Sequence, residues 1–430
     1  MAGTAAAERA TGRERLGRNV VTLGGVSLLT DVASEMSYPL LPIFLTTVLG
    51  ASATALGAIE GVAESTASLL KLASGWLSDR LAGRKRLVVI GYGLASLVRP
   101  LIGLTRSAGQ VMAIRVADRV GKGIRTSPRD ALIADSVAPS IRGRAFGFHR
   151  AADNTGAVIG PLIAFALLRF GPGIDLRRVF LLTAIPAALS VALLVFGVRE
   201  GARPASVAAG PGPGPGSGPG PERKREEDRG PGGTAKAAAP LRAAGLGARF
   251  WWLFAVLTVF TLGNSSDAFL LLRATQLGIA PLLVPVLWAL LNLVKALFNV
   301  PGGILSDRFG RRPLLIAGWT IYAAVYVGFG LAGAAWQVWA LFAAYGLYFG
   351  ATEGVEKALV ADFVPAERRG SAFGFYNLAL GIAALPASLI FGELADHASP
   401  RIAFCFGASM ALLAAIAICF IAPPGRQRAA

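Results

Sequence analysis

A window of about 18–25 mostly apolar residues recurs twelve times between Val20 and Ile421, and a helix of that length crosses the hydrocarbon of a bilayer. The windows fall near 18–49, 54–77, 87–105, 110–135, 144–168, 179–198, 250–273, 281–303, 314–333, 336–362, 370–392 and 402–422. Hydrocarbon offers no water to backbone amides and carbonyls, so each run must satisfy its hydrogen bonds internally and forms a helix. The expected fold is an all-α polytopic membrane protein with 12 transmembrane helices.

The net charge of +17 would suit a nucleic-acid binder, but its placement argues for topology instead. Basic residues crowd the N-terminus (Arg9, Arg13, Arg15, Arg18) and alternate loops (Arg84, Lys85, Arg86; Arg142, Arg144; Arg311, Arg312; Arg368, Arg369), whereas the opposite loops hold few. Cytoplasmic loops collect Lys and Arg, which puts both termini in the cytoplasm and the chain in the inner (plasma) membrane. Nucleic acid is not an expected partner; the bilayer and a small-molecule substrate are, and the chain is expected to be a monomer. The first apolar run contains Asp31 and Glu35 and no small-residue cleavage site, unlike a signal peptide. Cys405 and Cys419 lie 14 positions apart on one helix, about 21 Å, too far for a disulfide, and read as small core residues.

Composition changes abruptly over residues 199–246, where the Gly-Pro-rich run GPGPGPGSGPGPERKREEDRGPGG is too polar to fold alone. It divides the chain into a tail (1–17), a first six-helix bundle (18–198), a disordered linker (199–246), a second bundle (247–422) and a second tail (423–430). The bundles repeat one another. ALIADSVAPSIRGRAFGFH at 131–149 matches ALVADFVPAERRGSAFGFY at 358–376 at 11 of 19 positions, an offset of 227. GWLSDRLAGRK at 75–85 returns as GILSDRFGRR at 303–312, with Asp79 and Asp307 228 apart. Two pseudo-symmetric six-helix bundles are therefore expected, a plan typical of secondary transporters.

Two six-helix halves, a long central loop and the repeated G-x-L-x-D-R-x-G-R-[KR] hinge resemble the major facilitator superfamily over nearly the whole chain. The resemblance implies bundles that rock about a central site, exposing it to each side in turn. It also implies a gating role for Asp79 and Asp307, each facing a helix N-terminus of the other half, where a carboxylate is favourable. Arg80, Arg84, Arg308 and Arg311 would complete the charge cluster. The extra residue Leu81-Ala82 in the first copy departs from the family's spacing. Span five reads GAVIGPLIA, similar to the fifth helix of the superfamily's drug/proton antiporters, with Ala164 in place of the last glycine. There Gly156 and Gly160 would permit close helix contact and Pro161 a bend; ordinary helix packing explains the same residues.

The interior charges do not repeat. Arg115, Asp118, Arg119, Lys122, Arg125 and Arg129 recur at three- and four-residue steps along span four. Acids stand at similar depth: Asp31 and Glu35 on span one, Glu60 and Glu64 on span two. Intramembrane charges are costly and face a partner or a cavity. Mutual neutralisation accounts for many of them; a proton site at Asp31, Glu35, Glu60 and Glu64 facing a substrate or counter-charge stripe at Arg115, Arg119, Lys122 and Arg125 is the functional alternative. The second half offers Asn264, Asp267, Lys295 and Glu353, and Glu356 stands opposite Arg129 in the repeat, so that Arg125 or Arg129 could meet Glu353 or Glu356 and close the cytoplasmic side. His149 and Asp153 are one turn apart, and a satisfied interfacial histidine is the expected outcome there; His397 is expected in solvent.

No P-loop, hydrolase triad, metal-ligand spacing or dinucleotide fingerprint occurs, so no enzymatic activity, metal or cofactor is expected and a proton gradient is the expected energy source. The expected function is proton-coupled export of a small organic molecule. The alternatives are proton-linked uptake of an anionic metabolite, and a receptor or assembly factor on the same fold.

Overall fold

The computed structural model describes residues 16–80, 84–137, 141–199, 247–364 and 369–420; the linker, both tails and the loop of the first hinge lie outside this set, as do the side chains of Asp79, Arg80 and Asp307. The first half holds α1 (Arg18–Ser37), α2 (Ala53–Arg80), α3 (Arg84–Val98), α4 (Ala108–Asp135), α5 (Arg142–Phe170), α6 (Leu176–Leu182) and α7 (Ala184–Gly197). The second holds α8 (Gly247–Gly263), α9 (Ala268–Gln276), α10 (Val284–Phe309), α11 (Arg311–Leu331), α12 (Ala335–Asp362), α13 (Arg369–His397) and α14 (Pro400–Ala417). α6 with α7 forms span six and α8 with α9 forms span seven, which gives the 12 expected spans in two halves.

Among the described residues, eight helical stretches are long and apolar enough to cross a membrane, and spans one, two, four and ten are not among them. Spans one, two and four carry the interior acids and the basic stripe, so the charges concentrate on helices that face other helices rather than lipid.

Within each half the same neighbours recur: α1 packs on α5 and α2 on α4 in the first, α8 on α13 and α10 on α12 in the second. The halves meet along α2 with α13 and along α5 with α10. These two contacts exchange under the internal repeat, as a pseudo-twofold axis between the bundles requires. Small residues allow the approach. A Cβ on Gly156 would stand 2.6 Å from the Leu28 carbonyl oxygen, and one on Gly160 2.6 Å from that of Val32. These two glycines thus seat α5 directly on the backbone of α1.

The repeat also explains the hinges. Arg84, which opens α3, pairs with Asp135 at the end of α4; Arg311, which opens α11, pairs at 2.5 Å with Asp362 at the end of α12. Arg84 with Arg311 and Asp135 with Asp362 are each 227 apart. Both pairs tie a hinge to the far end of a later helix of its own half. In the second hinge Gly310 adopts φ 92°, a conformation that favours glycine, and turns the chain from α10 into α11 in one residue.

Spans one and seven are interrupted by longer irregular segments. After α1 the chain passes through a 3-10 turn at Tyr38–Leu40, one turn of α-helix at Leu41–Ile43 and a π segment at Phe44–Val48, around Pro39 and Pro42. Span seven is broken at residues 264–267. Tyr38 and Ser265 are again 227 apart, so the breaks are symmetric. Cys405 and Cys419 are exposed on the outside of the bundle rather than packed in the core, a correction to the sequence reading. An apolar surface carries no penalty in lipid, so a small apolar side chain is not driven inward there.

Candidate functional site

Between the halves lies a cavity of about 480 Å³. Glu35 and Tyr38 of span one, Glu60 and Glu64 of α2, and Arg119 and Lys122 of α4 line one wall; the other holds residues 264–267 of the span-seven break, Trp288, Asn292 and Lys295 of α10, and Phe349 of α12. The i,i+3 and i,i+4 spacings on α2, α4 and α10 set these side chains on one face of each helix.

The charges divide into those that hold the wall together and those presented to the cavity. Arg115 grips Glu60 through both ends of the fork, Nη2 at 2.7 and 2.9 Å from the two carboxylate oxygens and Nε at 3.0 Å. Arg99 donates to Asp118 at 2.7 Å, and Asp118 is 3.9 Å from Arg115. All four residues are buried. They form an alternating chain through spans three, four and two, and a buried charge is tolerated when it is paired in this way. Arg119 is different. Its Nε is buried without a hydrogen-bond partner, and the nearest carboxylate oxygen, on Glu64, is 4.0 Å away. The Lys122 ammonium has no ion pair among the described residues.

Hydrogen bonds cross between the halves at several levels. The Trp288 indole Nε1 donates to Glu35 at 2.7 Å, and the Tyr38 and Trp288 rings lie 5.0 Å apart. Towards the face opposite the basic loops, the backbone amides of Ala53 and Thr54 at the start of α2 donate to the Asp396 carboxylate at 3.0 and 2.7 Å. A carboxylate at a helix N-terminus satisfies otherwise orphaned amides, here from the other half of the molecule. Deeper, Ser65 donates to the Gly381 carbonyl at 2.5 Å. From Asp396 to Gly381 is 15 residues, about 22 Å of helix, so the closure at this face is long.

Behind the second wall stand stacked aromatics. Tyr322 and Tyr326 lie 4.2 Å apart, Tyr345 and Tyr348 5.6 Å, and Phe260 stacks on Trp319 at 4.7 Å. Their hydroxyls hold the broken span: Tyr345 donates to Asp267 at 2.7 Å, Tyr322 lies 3.0 Å from the Gly263 carbonyl oxygen, and Tyr326 lies 3.3 Å from the Ser265 hydroxyl. Irregular backbone at membrane depth needs such partners.

The chain matches the Major Facilitator Superfamily over residues 23–294 and 265–430. It belongs to that superfamily. An uncharacterised transporter of this type from Methanocaldococcus jannaschii is 31% identical over 412 residues, covering 94% of this chain and 95% of the relative. Among solved structures, a D-xylose–proton symporter superposes with a TM-score of 0.69 at 19% identity, covering 95% of this chain and 97% of its own. A POT family transporter in complex with 5-aminolevulinic acid reaches 0.74 at 13% identity, covering 94% and 96%. At such identities the two structures speak for the superfamily fold alone.

Against that fold, the sequence-derived site residues separate into groups. Glu35, Glu60, Glu64, Arg119, Lys122, Asn264, Asp267 and Lys295 line the cavity. Arg115 stands behind Glu60, and Glu353 stands behind Lys295, 3.1 Å from its ammonium. Asp31 sits instead at the α1–α5 contact, its Cβ 2.9 Å from where a Gly156 Cβ would be. Arg125 is also away from the cavity, its guanidinium 4.2 Å from the Tyr92 ring centre. The expected pairing of Arg125 or Arg129 with Glu353 or Glu356 is not made in this conformation. Arg129 pairs with its neighbour Asp130 at 2.9 Å, while Glu356 accepts from Tyr376 at 3.1 Å and Trp319 at 3.3 Å. The basic residue that approaches Glu353 across the halves is Arg150, at 3.9 Å. Local partners are within reach without bringing two bundles together, so they win here.

Arg308 lies over the Phe309 ring at 5.6 Å. Pro161 sits inside α5, one residue beyond Gly160. Asp153 takes a hydrogen bond from Ser27 and lies 3.5 Å from His149 Nδ1, but Nε2 of this buried histidine has no partner, against the expectation of a satisfied ring. His397 is exposed at the end of α13, 3.1 Å from Glu393. Sequence reasoning missed Arg99, Tyr38, Trp288 and the tyrosine shelf. Tyr322 with Tyr326, and Tyr345 with Tyr348 and Phe349, stand at helical spacing and were open to detection.

Proposed function

We propose that this chain is a secondary active transporter that exchanges protons for a small organic molecule and carries that molecule out of the cell by alternating access. The observation that carries the reading is the cavity between the halves, with carboxylates of both halves on its walls. Its volume of about 480 Å³ falls in the range that small organic ligands occupy. Glu35 and Asp267 each hold a single neutral donor, Trp288 and Tyr345. A carboxylate in this setting accepts a proton without breaking an ion pair, unlike Glu60 with its bidentate arginine. Proton and substrate that each lower the other's affinity at one cavity are exchanged rather than carried together. Export as the direction rests on the likeness of the GAVIGPLIA segment to the superfamily's drug/proton antiporters. On the positive-inside reading the basic hinges and both termini face the cytoplasm, and the face closed by Asp396 is then the outer one.

The test is a pH gradient imposed across proteoliposomes holding the purified protein and a pH-sensitive dye. Exchange requires that adding a transported compound on one side drive protons in the opposite direction, and that Glu35→Gln or Asp267→Asn abolish the proton movement. Protons and compound moving in the same direction would contradict export by exchange.

A further inference from the structure

Glu35 and Asp267 can become neutral by taking up a proton without breaking an ion pair; Arg119 cannot become neutral by losing one. A carboxylate facing water takes up a proton when its charge is too costly, and buried groups relieve themselves in this way. A guanidinium stays charged at any accessible pH. Arg119 is 14% exposed, its Nε is buried with no acceptor, and Glu64 stands beyond hydrogen-bond reach with 46% of its side chain exposed. One helical turn along the same face of α4, Lys122 adds a second positive charge that no described carboxylate pairs. Of the neighbouring cations, Arg115 is paired with Glu60, Arg99 with Asp118 and Lys295 with Glu353, while Arg125, whose Nη1 is also buried without a partner, lies over the Tyr92 ring away from the cavity. Beyond the 4.0 Å approach of Glu64, these two adjacent cations have no carboxylate partner among the described residues, and the Arg119 Nε has no acceptor.

We propose that Arg119 and Lys122 form an anion subsite, and that the transported molecule is an organic anion whose carboxylate or phosphate sits there while its apolar body lies against Tyr38, Trp288 and Phe349. These three rings line the same cavity, with Leu380 and Ala384 beside them. An aromatic face takes flat or apolar substrate surface at little entropic cost. A planar fork beside an ammonium suits a carboxylate or a phosphate. Glu64 is the resident competitor, close enough to hold Arg119 electrostatically while the cavity is empty and too far to hydrogen-bond it.

The proposal deepens the transport reading and rests on it for the word substrate, but its test uses binding alone. Purified full-length protein is titrated with benzoate, phenyl phosphate, benzamide and benzylamine, following tryptophan fluorescence and thermal stability. Benzoate or phenyl phosphate is expected to bind and raise the unfolding temperature, and which of the two binds tighter assigns the subsite to carboxylate or phosphate. Benzamide and benzylamine are expected not to bind. Lys122→Gln and Arg119→Gln should each weaken anion binding about tenfold or more, and Lys122→Arg should restore it. Glu64→Gln should strengthen it by removing the competitor, an effect that a merely structural Arg119–Glu64 pair would not produce. Elution as a single species and an unchanged unliganded unfolding temperature certify that a variant is folded, and Lys122→Arg and Glu64→Gln keep the test open if Arg119→Gln is not. Benzamide or benzylamine binding as well as the anions, wild-type affinity in Lys122→Gln, or no response to either anion overturns the proposal. Anion binding without proton-linked flux would sink the exchange mechanism and leave the subsite standing.

Discussion

Replacing Trp288 with the smaller Phe removes the indole N–H while keeping an aromatic ring, and so probes one bond between the halves. In Trp288→Phe the aromatic contact with Tyr38 remains, at 5.0 Å between centroids in the native protein, while the 2.7 Å hydrogen bond to Glu35 is lost. A hydrogen bond to a charged acceptor contributes about 1.5–3 kcal/mol. Glu35 lines the water-accessible cavity, so the low end applies. The bond joins span one to α10, and separation of the halves at the Asp396 face would break it. Its loss should therefore shift the equilibrium between closed and open states by roughly tenfold. Glu35→Gln keeps an acceptor oxygen and converts the bond to a neutral one, so its shift should be smaller. Spin labels at Ala51→Cys and Ala398→Cys, in a background with Cys405→Ser and Cys419→Ser, report the separation of the two halves at that face. The open fraction should rise in the order wild type, Glu35→Gln, Trp288→Phe. Identical distance distributions in all three would refute the reasoning, and a larger shift in Glu35→Gln would show that Glu35 acts through something other than Trp288.

The other expectations concern stability and closure. Glu60→Gln strips the charge from a carboxylate held bidentately by buried Arg115 and should cost about 3–5 kcal/mol; Glu60→Met with Arg115→Met should recover much of that loss in thermal unfolding. Asp396→Asn weakens the trans cap on Ala53 and Thr54 and should open the same face by about 0.5–2 kcal/mol, with the smaller values at high salt because the carboxylate is exposed. Gly160→Val sets a side chain 2.6 Å from the Val32 carbonyl oxygen and should lower the unfolding free energy by about 1–3 kcal/mol or more, whereas the same change at Gly354, where a Cβ meets nothing within 4 Å, should be nearly neutral.

The spans were readable because hydrocarbon imposes a length and an apolar composition, and the two-bundle plan because short hinge segments repeat at a fixed offset. The breaks were written less plainly. Asn264, Ser265, Ser266 and Asp267 interrupt an apolar run with four polar residues, and Pro39 and Pro42 do the same in span one, yet window counting smooths over both. The charged stripe of α4 was legible as a stripe; which of its members pair was not. Arg115, Arg119, Lys122 and Arg125 all lie within one helix, and their fates differ through residues elsewhere: Glu60 and Glu64 on α2, Tyr92 on α3, and Arg99, which takes up Asp118 of α4 itself. Pairing across helices depends on rotation and depth, which local spacing leaves free. The gating aspartates remain expectations of the family resemblance. What the structure adds there is the repeated Arg84–Asp135 and Arg311–Asp362 pairing, built from acids that the repeated ALIAD and ALVAD segments already contained.

Alternating exposure of the central cavity is the claim on which the mechanism stands. Ala384 lines that cavity and carries a side chain small enough to replace. With Ala384→Cys as the single cysteine, in proteoliposomes of defined orientation, a membrane-impermeant maleimide is added from one side and then from the other. Labelling from both sides is expected, slowed from both by a bound substrate anion. Labelling from one side alone, whatever the pH gradient, would contradict it.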